Sequence, residues 1–130
     1  MNLFVCFRST DEYEGVSVMN TLKTKSQNAL VILEETDRNP EWKKNVSDKF
    51  SIAHYVVFLV GSTTFESKHV NWEFNKAEAL NKYIIGIKLK GATEESYLRF
   101  KKYKIFDSAE ECLEYMLTMK EMGAIYTYTD

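Results

Sequence analysis

"YVVFLVGSTTFESKHVNWEFNKAEALNKYIIGIKL" runs from Tyr55 to Leu89, and its reading decides the fold. Tyr55 to Val60 is apolar at every position and rich in β-branched and aromatic residues, up to Gly61. Such a run predicts a strand covered on both faces, hence central and parallel. Val70, Phe74, Ala77 and Leu80 then recur at helical spacing and form one apolar face. Thr63 and Glu66 stand at capping-box spacing before that helix. "YIIGIKL", Tyr83 to Leu89, is a second buried strand. Two strands joined through a helix pair in parallel, because only a crossover of that length brings the chain back in the same direction. One residue breaks the pattern. Glu73 falls inside the apolar face, between Ala77 and Leu80.

The same alternation extends outward. "NLFVCF", Asn2 to Phe7, is a short β-prone run. Thr10 or Asp11 caps a helix carrying Tyr13, Val16, Met19 and Leu22, with Gly15 as its weak point. "ALVIL", Ala29 to Leu33, is another strand. Asn39 then stands as cap and Pro40 as first position of a helix whose face is Trp42, Val46 and Phe50. "TEESYLRFKKY" is a candidate short helix, and "KIF", Lys104 to Phe106, an edge strand. Ser108 and Glu111 form a further capping box, ahead of a helix that buries Cys112, Leu113, Met116 and Leu117 and stops near Gly123. Five strands alternating with helices predict an α/β, flavodoxin-like three-layer fold. Its five-stranded parallel sheet takes the order 2-1-3-4-5, with helices on both faces. Residues 1–121 form one domain, and 122–130 a C-terminal tail that the pattern leaves unassigned.

Composition narrows the function. The chain has 130 residues and a formal charge of −2. That balance offers no basic surface for a phosphate backbone, so nucleic acid is not an expected partner. Cys6 and Cys112 lie far apart, each in an apolar pattern, and read as free, buried thiols in a reducing compartment. The longest apolar run, Tyr55 to Val60, is far too short to span a bilayer, and the N-terminus has no basic segment before its first strand. A cytoplasmic protein with no membrane partner is expected. No His/Cys/Asp cluster has metal spacing, so no metal is expected either. His54 reads as structural, and Ser9 alone makes no triad.

The expected strand order gives Glu73 a place. Connections from strands 1 and 3 leave on opposite sides of the sheet and open a crevice at their C-terminal ends. Arg8 to Asp11 follow the first strand, Gly61 to Ser67 follow the third, and Glu73 lies two turns into the next helix. Glu73 is therefore either a boundary residue that pairs with Lys76 or Arg8, or a site carboxylate at the rim of the crevice. Arg8 either meets a diphosphate or pairs with Glu12. Asp11 reads as a helix cap rather than a catalytic group. Gly61 to Thr64 offers backbone N–H groups to a phosphate but lacks the P-loop ending, and otherwise reads as a capped turn. Trp72 projects away from the apolar face, as a contact surface or under a neighbouring helix.

A resemblance bears on this choice. "NLFVCFRSTDE" is similar to the opening of TIR domains, whose first strand reads V-F-I-S-Y before a short polar loop. The pattern G-x-x-T-Y-x-x-K-W-V-D-W-E-I of bacterial TIR-like proteins is matched by Gly61, Thr64, Phe65, Lys68, Val70, Trp72, Glu73 and Phe74. His69 stands where that pattern has a Trp, and Asn71 where it has an Asp. The chain most resembles the TIR proteins of Thoeris antiphage defence, over residues 1 to 120. The resemblance implies an NAD-cleaving enzyme, a glycohydrolase or ADP-ribosyl cyclase, with NAD as substrate and no separate cofactor. It implies Glu73 as the catalytic residue. Phe7, Arg8, Ser9, Asp11, His69 and Trp72 are the implied substrate-binding residues, and His69 stands near the nicotinamide-stacking position. It further implies self-association, and a cyclic ADP-ribose-type signal that reaches an effector protein by diffusion.

Two other functions compete. Nucleoside deoxyribosyltransferases share a related fold and use a Glu near this position, but their D-x-G-T-x-x-E-x-G sequence is missing. A non-catalytic TIR-like scaffold is the third reading. A phosphoryl-accepting receiver would need an Asp where Gly61 ends the third strand.

Overall fold

In the computed structural model, which describes residues 2–25, 31–33 and 40–122, the apolar run Tyr55–Val60 is a strand buried at every position. This strand, β3, lies at the centre of a parallel α/β sheet. The other strands are β1 (Asn2–Cys6), β2 (Val31–Leu33), β4 (Tyr83–Lys88) and β5 (Lys104–Phe106), in the order β2-β1-β3-β4-β5. Cys6 pairs in register with Phe58, and Phe58 with Gly86, so the three middle strands end close together.

The helices are α1 (Glu12–Lys25), α2 (Trp42–Ile52), α3 (Lys68–Ala79) and α4 (Ala109–Met122). Because side chains alternate along a strand, each central strand feeds two cores. Leu3, Val5, Tyr55, Val57 and Leu59 pack with Met19 and Leu22 of α1 and with Cys112, Leu113 and Met116 of α4. Phe4, Cys6, Val56, Phe58 and Val60 pack with Val46 and Phe50 of α2 and with Val70, Phe74 and Ala77 of α3. Both cysteines are free and buried. Among the described residues, no helix is long and apolar enough to cross a membrane.

Several local expectations need correction. The buried stripe of α1 is Gly15, Met19 and Leu22, whereas Tyr13 and Val16 are exposed. Gly15 is required there: a Cβ would stand 2.9 Å from the Phe7 ring. Helix α2 starts at Trp42 behind Glu41, not at Pro40, which lies in a turn; Asn39 falls outside the described residues. The cap of α3 is Ser67, whose hydroxyl accepts from the Val70 N–H at 3.2 Å. Thr63 and Glu66 instead close a separate 3-10 turn, Thr64–Glu66, with Glu66 N–H donating to the Thr63 carbonyl. Leu80 is exposed, since α3 ends just before it. "TEESYLRFKKY" contributes a 3-10 turn at Leu98–Lys102 rather than an α-helix. Ser108 does cap α4, accepting from the Glu111 N–H. Ala29 and Gly123, and the tail beyond Met122, lie outside the described residues.

Candidate active site

Cys6 is the last residue of β1, and its side chain enters the layer under α2 and α3. Ser67 starts α3 so that Val70, Phe74 and Ala77 face the same layer. Glu73 shares that side of the helix and is only 8% exposed. Glu73 lies near enough to the Cys6 thiol to act on it electrostatically. Burial, and then the neighbouring negative charge of Glu73, push the Cys6 thiol well above its ordinary range. Cys6 therefore stays protonated at neutral pH and is a poor nucleophile. Among the described residues, a carboxyl group kept inside a layer of aliphatic and aromatic side chains is an unusual placement.

One turn before Glu73, the His69 ring packs on Trp42 of α2, with centroids 4.5 Å apart. Trp72 meets the same indole edge-on at 5.0 Å. The Lys43 ammonium lies over both indoles, 5.8 Å from the Trp42 centroid and 5.6 Å from that of Trp72. Trp72 is thus half-buried under the neighbouring helix. His69, Trp72 and Glu73 are brought together on α3, and α2 supplies the flat wall against which the first two rest. Trp42 stood out in the sequence only as the first residue of a helix face, because its site partners lie on another helix.

The two loops at the strand ends touch each other. Arg8 Nη1 donates to the Thr63 carbonyl at 3.0 Å and stands 3.9 Å from Glu66 Oε1, rather than beside Glu12. Asp11 ends the 3-10 turn Ser9–Asp11 and lies against Gly61, where a Cβ would stand 2.9 Å from Asp11 Oδ2. That oxygen is buried and has no hydrogen-bond partner among the described residues. Burial raises the Asp11 carboxyl above its usual range, and Glu14 adds to this; Arg8 and the Thr64 hydroxyl act the other way. Thr64 is fully buried and accepts the Gly61 N–H at 2.7 Å. Ser9 is exposed. Phe7 departs from the group, since its ring packs on Gly15 in the opposite core.

Arg99 was invisible to local patterns. It crosses from the Leu98–Lys102 turn to α3, where Nη1 donates to Asn71 Oδ1 at 2.8 Å and Nη2 to Asn75 Oδ1 at 2.6 Å. Its guanidinium also stacks on Phe74, 4.2 Å from the ring centroid. Asn71 in turn donates to the Phe65 carbonyl, which fixes the start of α3 to the loop after β3. Among the described residues, no group of three or more His, Cys, Asp or Glu side chains is placed to hold a metal ion.

The arrangement offers a buried carboxyl group, next to Trp72 and one helical turn from His69 on the same helix. That combination suits a cationic or developing-cationic centre next to a planar ring. Compared with known families, residues 4–94 match the model of "Thoeris protein ThsB, TIR-like domain". The match contains Cys6, Trp42 and Glu73 and ends before Arg99, β5 and α4. No curated protein matches the chain.

Proposed function

Because the chain belongs to the TIR-like domain family of the Thoeris protein ThsB, we propose that it is an NAD-cleaving enzyme of bacterial antiphage defence. The observation that carries this reading is the Glu73 carboxyl group, 8% exposed, next to Trp72 in the chain and one helical turn from His69.

NAD joins nicotinamide to ribose through a cationic ring nitrogen. When that bond breaks, its electron pair goes to the nitrogen and nicotinamide leaves neutral, so no general acid is needed. The ribose is left as an oxocarbenium ion, which a fixed carboxylate stabilises electrostatically. Glu73 takes that role. His69 and Trp72, backed by Trp42, supply ring faces for a planar base. Arg8 stands at the mouth, where a guanidinium meets a diphosphate. Asp11 and Ser9 border the same opening, and Phe7 shapes the loop from below by anchoring it on Gly15. Water captures the cation with loss of a proton and gives ADP-ribose; capture by a hydroxyl or adenine nitrogen of the same molecule gives a cyclic product. A diffusible product of this kind would reach an effector protein without direct contact.

The test is nicotinamide release from NAD. Wild-type protein is expected to release it, and Glu73→Gln to lose roughly 100- to 1,000-fold of that rate while folding normally. Equal rates in the two proteins would overturn the mechanism. A non-catalytic module is the second reading. It is favoured by Arg8, whose guanidinium is already bonded to the Thr63 carbonyl. No release of nicotinamide at any protein concentration would select it.

A further inference from the structure

We propose that Asn71 is a positioning residue: its amide couples Arg99 to the loop after β3 and so fixes the segment on which Arg8 rests. The inference rests on the NAD-cleaving reading only for what Arg8 binds. The path is continuous in hydrogen bonds. Asn71 Nδ2 donates to the Phe65 carbonyl at 2.6 Å and to the Ser67 carbonyl at 2.8 Å. Asn71 Oδ1 accepts from Arg99 Nη1 at 2.8 Å. On one side, the loop closes its 3-10 turn with Glu66 N–H on the Thr63 carbonyl at 3.0 Å and Ser67 N–H on the Thr64 carbonyl at 3.2 Å. The Thr63 carbonyl also accepts from Arg8 Nη1 at 3.0 Å. On the other side, Arg99 is itself held. Its Nη2 donates to Asn75 Oδ1 and stands 3.6 Å from Glu78 Oε1, while Glu78 Oε2 accepts from the Tyr103 hydroxyl at 2.8 Å.

The chemistry explains why an amide serves here. Carbonyl oxygens can only accept and a guanidinium can only donate, so a side chain between them must do both. These neighbours also fix which way the amide faces. Asp, which the TIR-like pattern has at this position, would accept from Arg99 with more charge. It would also present a carboxylate to the Phe65 and Ser67 carbonyls, where no proton is available to share. A stronger ion pair and a looser loop would then come together. The two effects have opposite signs, and this makes Asn71→Asp informative.

Two measurements decide the matter. The first needs no activity: native-state amide hydrogen exchange at neutral pH, read at Glu66 and Ser67. Asn71→Asp is expected to speed exchange at these two amides about tenfold, while the core amides of β3 change much less. Arg99→Ala leaves the Asn71 donors but removes the partner that aims them. It should speed the same two amides by a smaller factor, and it keeps the test open if Asn71→Asp does not fold. Unchanged exchange at Glu66 and Ser67, or a rise only in step with β3, would overturn the proposal, since a merely stabilising residue acts on the whole molecule. The second is kinetic. Asn71→Asp is expected to raise KM for NAD about fivefold with little change in kcat, and to add nothing in an Arg8→Ala background. An equal rise in both backgrounds would overturn the path through Arg8. A protein that releases no nicotinamide overturns the NAD reading, while the exchange rates still decide whether Asn71 fixes the loop.

Discussion

The Asp11 carboxylate rests directly on Gly61: a Cβ at Gly61 would stand 2.9 Å from Asp11 Oδ2, and that oxygen is buried without a hydrogen-bond partner among the described residues. The loops after β1 and β3 are therefore in contact at a point where a charge is poorly accommodated. The Asp11 carboxyl is raised by burial and by Glu14. The folded protein thus binds a proton there more tightly than the unfolded chain does. Stability contributed by this group is present in acid and is lost as pH rises from the ordinary carboxylate range through the raised value. Asp11→Asn is expected to stabilise the protein at neutral pH, with the gain vanishing in acid. Urea unfolding at the two pH values measures it, and a loss of stability at neutral pH would contradict the assignment.

Arg99 binds Asn71 and Asn75 with two separate guanidinium nitrogens and lies over Phe74. Arg99→Ala is expected to cost roughly 2 kcal/mol, read from denaturant unfolding. Arg99→Lys should recover little of it, because one ammonium cannot reproduce a planar fork over a ring. Full recovery by lysine would show that charge alone matters.

Gly86 lies under two side chains, with a built Cβ 2.7 Å from Phe100 Cε1 and 2.9 Å from Ile105 Cγ1. Phe100 is itself held among Phe58, Phe65, Phe74 and Tyr103 and has little room to yield. Gly86→Ala is therefore expected to destabilise by about 1–3 kcal/mol. An unfolding midpoint equal to wild type would mean that the ring moves freely.

Arg8 joins the two loops through Thr63 and stands at the mouth. If the proposed NAD-cleaving function holds, Arg8→Ala is expected to raise KM for NAD several-fold with a smaller fall in kcat, as when binding common to ground and transition states is removed. A change in kcat alone would place Arg8 nearer the reacting bond.

The parallel α/β core was legible because Tyr55–Val60 is apolar without interruption, and such a run has few other uses. The place of Glu73 was legible because helical spacing alone set it beside Ala77. Other features escaped because their causes are distant in sequence. Tyr13 and Val16 fit an apolar helix face, but the Phe7 ring selects the neighbouring stripe through Gly15. Ser67 displaced Thr63 as the cap because the chain first closes a 3-10 turn, whose geometry depends on the buried Thr64 hydroxyl. Cys6 read correctly as a buried thiol, yet the influence of Glu73 on it joins a strand to a helix more than sixty positions away. Trp42 and Arg99 likewise find their partners on α3, which no local window covers.

The bridge from Arg99 to α3 separates what is recognised from what is cooperative. The family match ends at residue 94. A polypeptide cut there keeps Cys6, Trp42 and Glu73 but loses the guanidinium that spans Asn71 and Asn75, the Phe100 ring above Gly86 and the edge strand β5. The helix bearing the carboxylate would then have an outer flank of amides and aromatic rings open to water. The minimal autonomous unit of this molecule therefore extends beyond its diagnostic segment, and a fragment of residues 1–94 that fails to fold would report lost tertiary support for α3, not a fault in the segment itself.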